Sequence, residues 1–111
     1  MPVPVQECIE LCLGCHRVCL ETVAYLAAGG QPAEVSHIRL LFNCAEICQT
    51  SASLLRGAAD LTGRTCVACA EVCERCARYC DGFGADLQLR ACADACRRCA
   101  AACRRQAALA A

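Results

Sequence analysis

Several things are scarce in this 111-residue chain, and each scarcity excludes something. It has no tryptophan and only four aromatic residues, Tyr25, Phe42, Tyr79 and Phe83. A hydrophobic core must therefore come from Leu, Ile, Val, Ala and Cys. Charge of either sign is not in excess: 11 basic and 11 acidic residues give a formal net charge of zero. That balance offers no electrostatic support for nucleic-acid binding. No apolar run reaches the length needed to span a bilayer. The N-terminal stretch from Met1 to Glu7 has no basic segment, apolar run or cleavage site, so no secretory signal is visible and a reducing cytoplasm is the expected compartment. No acid–base pair is set beside an obvious substrate cleft, so the chain does not read as an enzyme. The length allows one domain, expected over residues 1–111.

What is present in excess is cysteine, 15 residues of 111. Such a content usually marks a secreted disulfide scaffold. Here the count is odd, and the cysteines lie among Ala, Arg, Glu and Leu, which favour helix. Their spacing is helical too. Cys66, Cys69, Cys73, Cys76 and Cys80 follow steps of three, four, three and four residues. At 3.6 residues per turn that places five thiols on one stripe. Cys8, Cys12, Cys15 and Cys19 repeat the pattern, as do Cys92, Cys96, Cys99 and Cys103, while Cys44 and Cys48 keep one step of it.

Four helices are expected, over about 5–28, 32–56, 63–81 and 85–109. Gly29-Gly30 ends the first, and Pro32 suits the start of the second. Gly57 is an exit, Asp60 or Thr62 could cap the third helix, and Asp81-Gly82-Phe83-Gly84 separates the last two. Short connections imply an all-α, antiparallel up-down-up-down four-helix bundle with a cysteine-lined core. Thr22, Leu26, Leu41, Ser51 or Ala52, Leu55, Ala85 or Leu89, and Gln106 continue the inward lines. The outward sides of the last two helices alternate Ala with charged residues. In register, the thiols form one column roughly 25 Å tall at the helical rise. Val5, Leu55, Leu61 and Leu109 are candidates to close one end of it, and His37 and Cys80 lie near the other.

A few buried thiols can serve as small hydrophobes, but not fifteen in repeated register. Disulfide pairing needs specific Cα and Cβ distances, which a continuous stripe would offer in many competing combinations. Metal binding remains. Iron–sulfur clusters and zinc are open readings, the first more usual on loops and the second leaving two negative charges on each four-thiolate site. A thiol redox buffer is another. Cu(I) suits the pattern best: it is soft, selects thiolates, and one monovalent ion per thiolate neutralises the column.

A short bundle with inward Cys-x3-Cys and Cys-x2-Cys steps resembles the bacterial copper storage proteins, in particular their cytosolic branch. The resemblance covers essentially the whole chain. It implies storage of multiple Cu(I) ions by Cys8, Cys12, Cys15, Cys19, Cys44, Cys48, Cys66, Cys69, Cys73, Cys76, Cys80, Cys92, Cys96, Cys99 and Cys103. It also implies a homo-oligomer, often a tetramer, served by a copper donor or acceptor protein. His37, seven residues before Cys44, is a further metal candidate, because relatives place His or Met where copper comes in. Met1 is the single Met, which departs from a Met-lined mouth. His16 lies off the stripe and suits the surface or a helix interface. Asn43, beside the stripe, suits a neighbouring side chain better than a core sulfur. Arg97, Arg98, Arg104 and Arg105 suit solvent or an oligomer interface.

Overall fold

The computed structural model describes residues 3–57 and 60–110. It contains four helices: α1 (Val3–Ala27), α2 (Val35–Gly57), α3 (Thr62–Asp81) and α4 (Leu87–Ala110). Each packs on its neighbours in a ring, α1 on α2 and α4, and α3 on α2 and α4. Facing thiols run in opposite senses. Cys44 meets Cys73 while Cys48 meets Cys69, and Cys12 meets Cys103 while Cys19 meets Cys92. The bundle is therefore antiparallel, 42 Å long and 21 × 17 Å across.

The inward stripes are buried as their spacing requires. All fifteen cysteines are buried, and Thr22, Leu26, Leu41, Leu55, Leu89 and Gln106 extend their lines. Ser51 and Ala52 are both inside. The alanines of the last two helices depart from the expected solvated face. Ala70 and Ala77 of α3, and Ala93 and Ala100 of α4, are buried. Small side chains let these two helices approach, and Arg97–Asp81 and Arg104–Glu74 ion pairs join them at the surface.

Three boundaries differ from the spacing-based reading. Helix α2 starts at Val35 rather than Pro32, with the Glu34 carbonyl accepting from the His37 and Ile38 amides. Leu61, not Asp60 or Thr62, holds the cap position of α3, and no side chain caps it. Ala85 is exposed in the turn before α4, so Leu89 takes the inward place. Gly84, at φ 62°, reverses the chain there. Asp86 then caps α4: its Oδ1 accepts from the Leu89 amide at 3.0 Å. Its Oδ2 accepts from the Tyr25 hydroxyl at 2.5 Å and from Gln31 Nε2 at 2.9 Å. The Tyr25 ring lies across Gly30, where a Cβ would run into it. One carboxylate thus ties the α1–α2 turn to the start of α4.

The far end is closed differently from expectation. Leu55 is buried and Val5 half-buried, but Leu61 and Leu109 are 58% and 73% exposed. At about 100° per residue, positions five before Cys66 and six after Cys103 lie well off the stripe. Ile9 and Gln106 are buried instead. Met1 lies outside the described residues.

Candidate metal centre

The site is built from the stripes themselves. The cysteine repeats of α1, α3 and α4 turn about one thiol toward the axis per turn, α2 adds Cys44 and Cys48, and the packing brings those thiols to common heights. Sulfur meets sulfur between α1 and α4, with Cys12–Cys99 at 3.6 Å and Cys19–Cys92 at 3.9 Å, between α1 and α2, with Cys15–Cys44 at 4.0 Å, and between α2 and α3, with Cys48–Cys73 at 3.6 Å, while Cys76 of α3 and Cys92 of α4 lie within 4.8 Å. Diagonal pairs meet as well, Cys44–Cys96 at 3.9 Å and Cys48–Cys99 at 3.8 Å. The column is therefore filled with sulfur from all sides.

Within it are four groups of four thiols, all mutually within 4.8 Å: Cys12, Cys69, Cys99 and Cys103; Cys15, Cys48, Cys73 and Cys99; Cys15, Cys19, Cys44 and Cys96; and Cys19, Cys76, Cys92 and Cys96. The groups are not separate. Cys15, Cys19, Cys96 and Cys99 each belong to two of them. Filling all four together requires bridging thiolates. Closed zinc sites of four thiolates each want their own ligands and would leave a charge of about −2 apiece in a buried core. A soft monovalent ion with two or three sulfur ligands meets neither difficulty.

Proton sharing within the column is uneven. Hydrogen bonds from Cys15, then Cys19, Cys48 and Cys73, hold the Cys44 thiol well below its ordinary range. Cys48, bonded by Cys15, Cys44, Cys69 and Cys73, is pushed well above it. At the far end, hydrogen bonds from Cys103 and then Cys12 hold Cys8 down to about 4. Neighbouring thiols thus share protons through the column, and metal loading must displace them.

Cys8, Cys66 and Cys80 flank the four groups. Cys8 lies 4.0 Å from Cys103. All three are buried, and all fifteen cysteines are free thiols. His37 is on the α2 stripe but in none of the four-thiol groups. Leu41, wholly buried, stands between it and Cys44. The His37 ring stacks on Tyr79 with centroids 3.7 Å apart, and Tyr79 meets Phe83 edge-on at 5.1 Å. Burial, first, and then the charge of Cys80 and Cys76 push the Tyr79 hydroxyl up to about 12. His16 is an interface residue: its Nδ1 lies 2.8 Å from the Ala45 carbonyl. Asn43 is exposed and borders a surface hollow between α2 and α3.

Two buried hydroxyls, Ser51 Oγ and Tyr79 OH, have no hydrogen-bond partner among the described residues. The spacing had placed Ser51 on or beside the stripe without distinguishing it from Ala52. Its position, three residues after Cys48, is where the repeat would carry another thiol.

A cysteine-lined four-helix bundle of this kind defines a thiolate metal-binding protein. The profile of the copper storage protein family matches residues 2–108, and the chain belongs to that family. A cysteine-rich protein of Bacillus subtilis (strain 168), YhjQ, is 32% identical over 104 residues, covering 93% of this chain and 95% of its own length. A crystal structure of a Nitrosospira multiformis protein is similar with TM-score 0.85 and 40% identity, covering 96% of each chain. The Cu(I)-bound copper storage protein BsCsp3 is similar with TM-score 0.81 and 30% identity, covering 94% of this chain and 98% of its own.

Proposed function

We propose that this protein stores multiple Cu(I) ions on the thiolates of its bundle core. The observation that carries the reading is the chain of overlapping four-thiol groups, joined through shared cysteines. It suits an ion that accepts few sulfur ligands and tolerates bridging. The ligands assigned are the fifteen cysteines, with Cys8, Cys66 and Cys80 taking the ends of the column. His37 belongs to the aromatic cover at the Cys80 end. We read the four helices as one storage domain without catalytic activity of its own.

A cytoplasmic setting is supported by the fifteen free thiols, which persist in a reducing compartment. No described helix is long and apolar enough to cross a membrane. Assembly as a homo-oligomer, with a tetramer the family-based expectation, and exchange with a copper donor or acceptor complete the proposal.

Anaerobic titration of the reduced protein with Cu(I), against a competing chelator, tests it. Saturation is expected at about one ion per thiolate, a dozen or more per chain. Saturation at three or four ions would point to zinc or iron–sulfur chemistry instead. The metal-free protein should already be helical by far-UV circular dichroism, since Leu26, Leu41, Leu55 and Leu89 pack the ends without metal.

A further inference from the structure

Every thiol of the column is buried, so an incoming ion must cross some wall of the bundle. Among the described residues both ends are closed. At the turn end, Leu41 and Leu89 are wholly buried and Leu26 is 6% exposed, with the His37–Tyr79–Phe83 stack beside Cys80. At the other, Leu55, Ile9 and Gln106 are buried. The side walls are unequal. The α3–α4 seam is joined by Arg97–Asp81 and Arg104–Glu74 pairs. The α1–α2 seam carries the His16–Ala45 contact. A hollow of about 670 Å³ between α2 and α3 is floored by residues such as Ile47, Ala68 and Val72, without sulfur.

The α1–α4 seam differs. A hollow of about 190 Å³ opens there at mid-height, and Cys15 lines it, together with Gly14 and Ala95. Gly14 is inside α1, where glycine weakens a helix by roughly 1 kcal/mol relative to Ala. No neighbour requires it, because a Cβ at Gly14 would meet nothing within 4 Å. Glu7–Arg105 and Thr22–Gln88 contacts cross this seam toward its two ends, while the ion pairs at the height of the hollow, Arg17–Glu21 and Arg98–Asp94, run along single helices. Arg17 and Arg98 instead border the hollow. Cys15 itself is the junction of two four-thiol groups, 3.7 Å from Cys96 and 4.0 Å from both Cys19 and Cys44.

The geometry points to a lateral port: Cu(I) passes between Gly14 and Ala95 to Cys15 and spreads from there toward both ends of the column. This rests on the copper-storage reading. The hollow has room for several waters, which suits a small Cu(I) complex. In the transfer, the Cys15 thiol loses its proton to solvent. Its sulfur binds Cu(I) as one donor of the incoming complex leaves, and copper keeps its oxidation state.

The test has a metal-free arm and a copper arm. Reduced metal-free protein is treated briefly with iodoacetamide, and the modified cysteines are mapped by mass spectrometry. Cys15 should react first, and Gly14→Leu should slow it by about tenfold without slowing Cys80. Cys80 or Cys8 reacting first, or all fifteen reacting together, would overturn the port. In the copper arm, stopped-flow transfer from a Cu(I)–bicinchoninate complex should slow in Gly14→Leu and in Ala95→Leu with capacity unchanged. His37→Ala should leave the rate alone. Rates set by His37 and indifferent to both seam variants would overturn the port while sparing storage. Loss of capacity in the unaltered protein would instead count against storage, leaving the metal-free arm to judge the port.

Discussion

Helices α2 and α3 lie side by side over the same length of bundle, yet their inward stripes are made of different material. The buried set of α3 is Cys66, Cys69, Ala70, Cys73, Cys76, Ala77 and Cys80, only thiols and small side chains. That of α2 is Leu41, Cys44, Ala45, Cys48, Ser51, Ala52 and Leu55, two thiols held between two leucines. One helix supplies ligands, the other supplies part of the hydrocarbon that holds a small bundle together before any metal arrives. A core wholly of cysteine would be poor in volume and dispersion contacts. Concentrating leucine at the ends of the column gives stability without displacing sulfur from its middle.

Substituting across the two helices should separate the roles. Leu41→Ala is expected to destabilise the metal-free protein by about 2–5 kcal/mol, measured by denaturant unfolding, with Cu(I) capacity nearly unchanged. Cys73→Ala in α3 should cost only about 1 kcal/mol in the same assay. It should lower capacity by about one ion. Equal stability losses from both would erase the distinction.

Ser51 sharpens it. Its hydroxyl is buried without a partner, a condition that costs about 1–3 kcal/mol. Ser51→Ala should therefore raise the unfolding midpoint. Ser51→Cys should make α2 more like α3 and raise Cu(I) capacity by about one ion in the chelator-competition titration. No gain would place Ser51 outside reach of the column.

The smallest effect concerns the turn lock that fixes where α2 and α4 begin. The Tyr25 hydroxyl, then Gln31 and the Leu89 amide, bond Asp86 and hold its carboxyl below the usual 3.8. A depressed carboxyl binds fewer protons in the folded than in the unfolded state. Its contribution is present above the ordinary carboxyl range and disappears as pH falls through the folded value. Melting temperature should drop modestly below about pH 4, and Asp86→Asn should flatten that part of the profile. An unchanged profile would remove Asp86 from the account of acid stability.

Much of this architecture was legible from spacing. Three- and four-residue steps put the fifteen thiols, Thr22, Leu26, Leu41, Leu55 and Gln106 inside, and all of them are. The ends were less legible. Leu61 and Leu109 are apolar but lie off the stripe, and burial follows angle rather than hydropathy there. His37 shares the α2 line, but spacing alone did not show that its ring stacks on Tyr79. The Asp86 lock joins residues 61 positions apart in sequence, beyond the reach of any local pattern.

Residue spacing alone dictated that four helices would each turn sulfur to one side, because a helix converts a three-four spacing into a stripe wherever it forms. Which thiols share an ion-sized space depended on how those helices pack. Cys15, Cys19, Cys96 and Cys99 are junctions only because antiparallel packing sets α1 and α4 at common heights. The port proposed at Gly14 depends on the same packing, which sets Gly14 and Ala95 on one surface hollow beside Cys15.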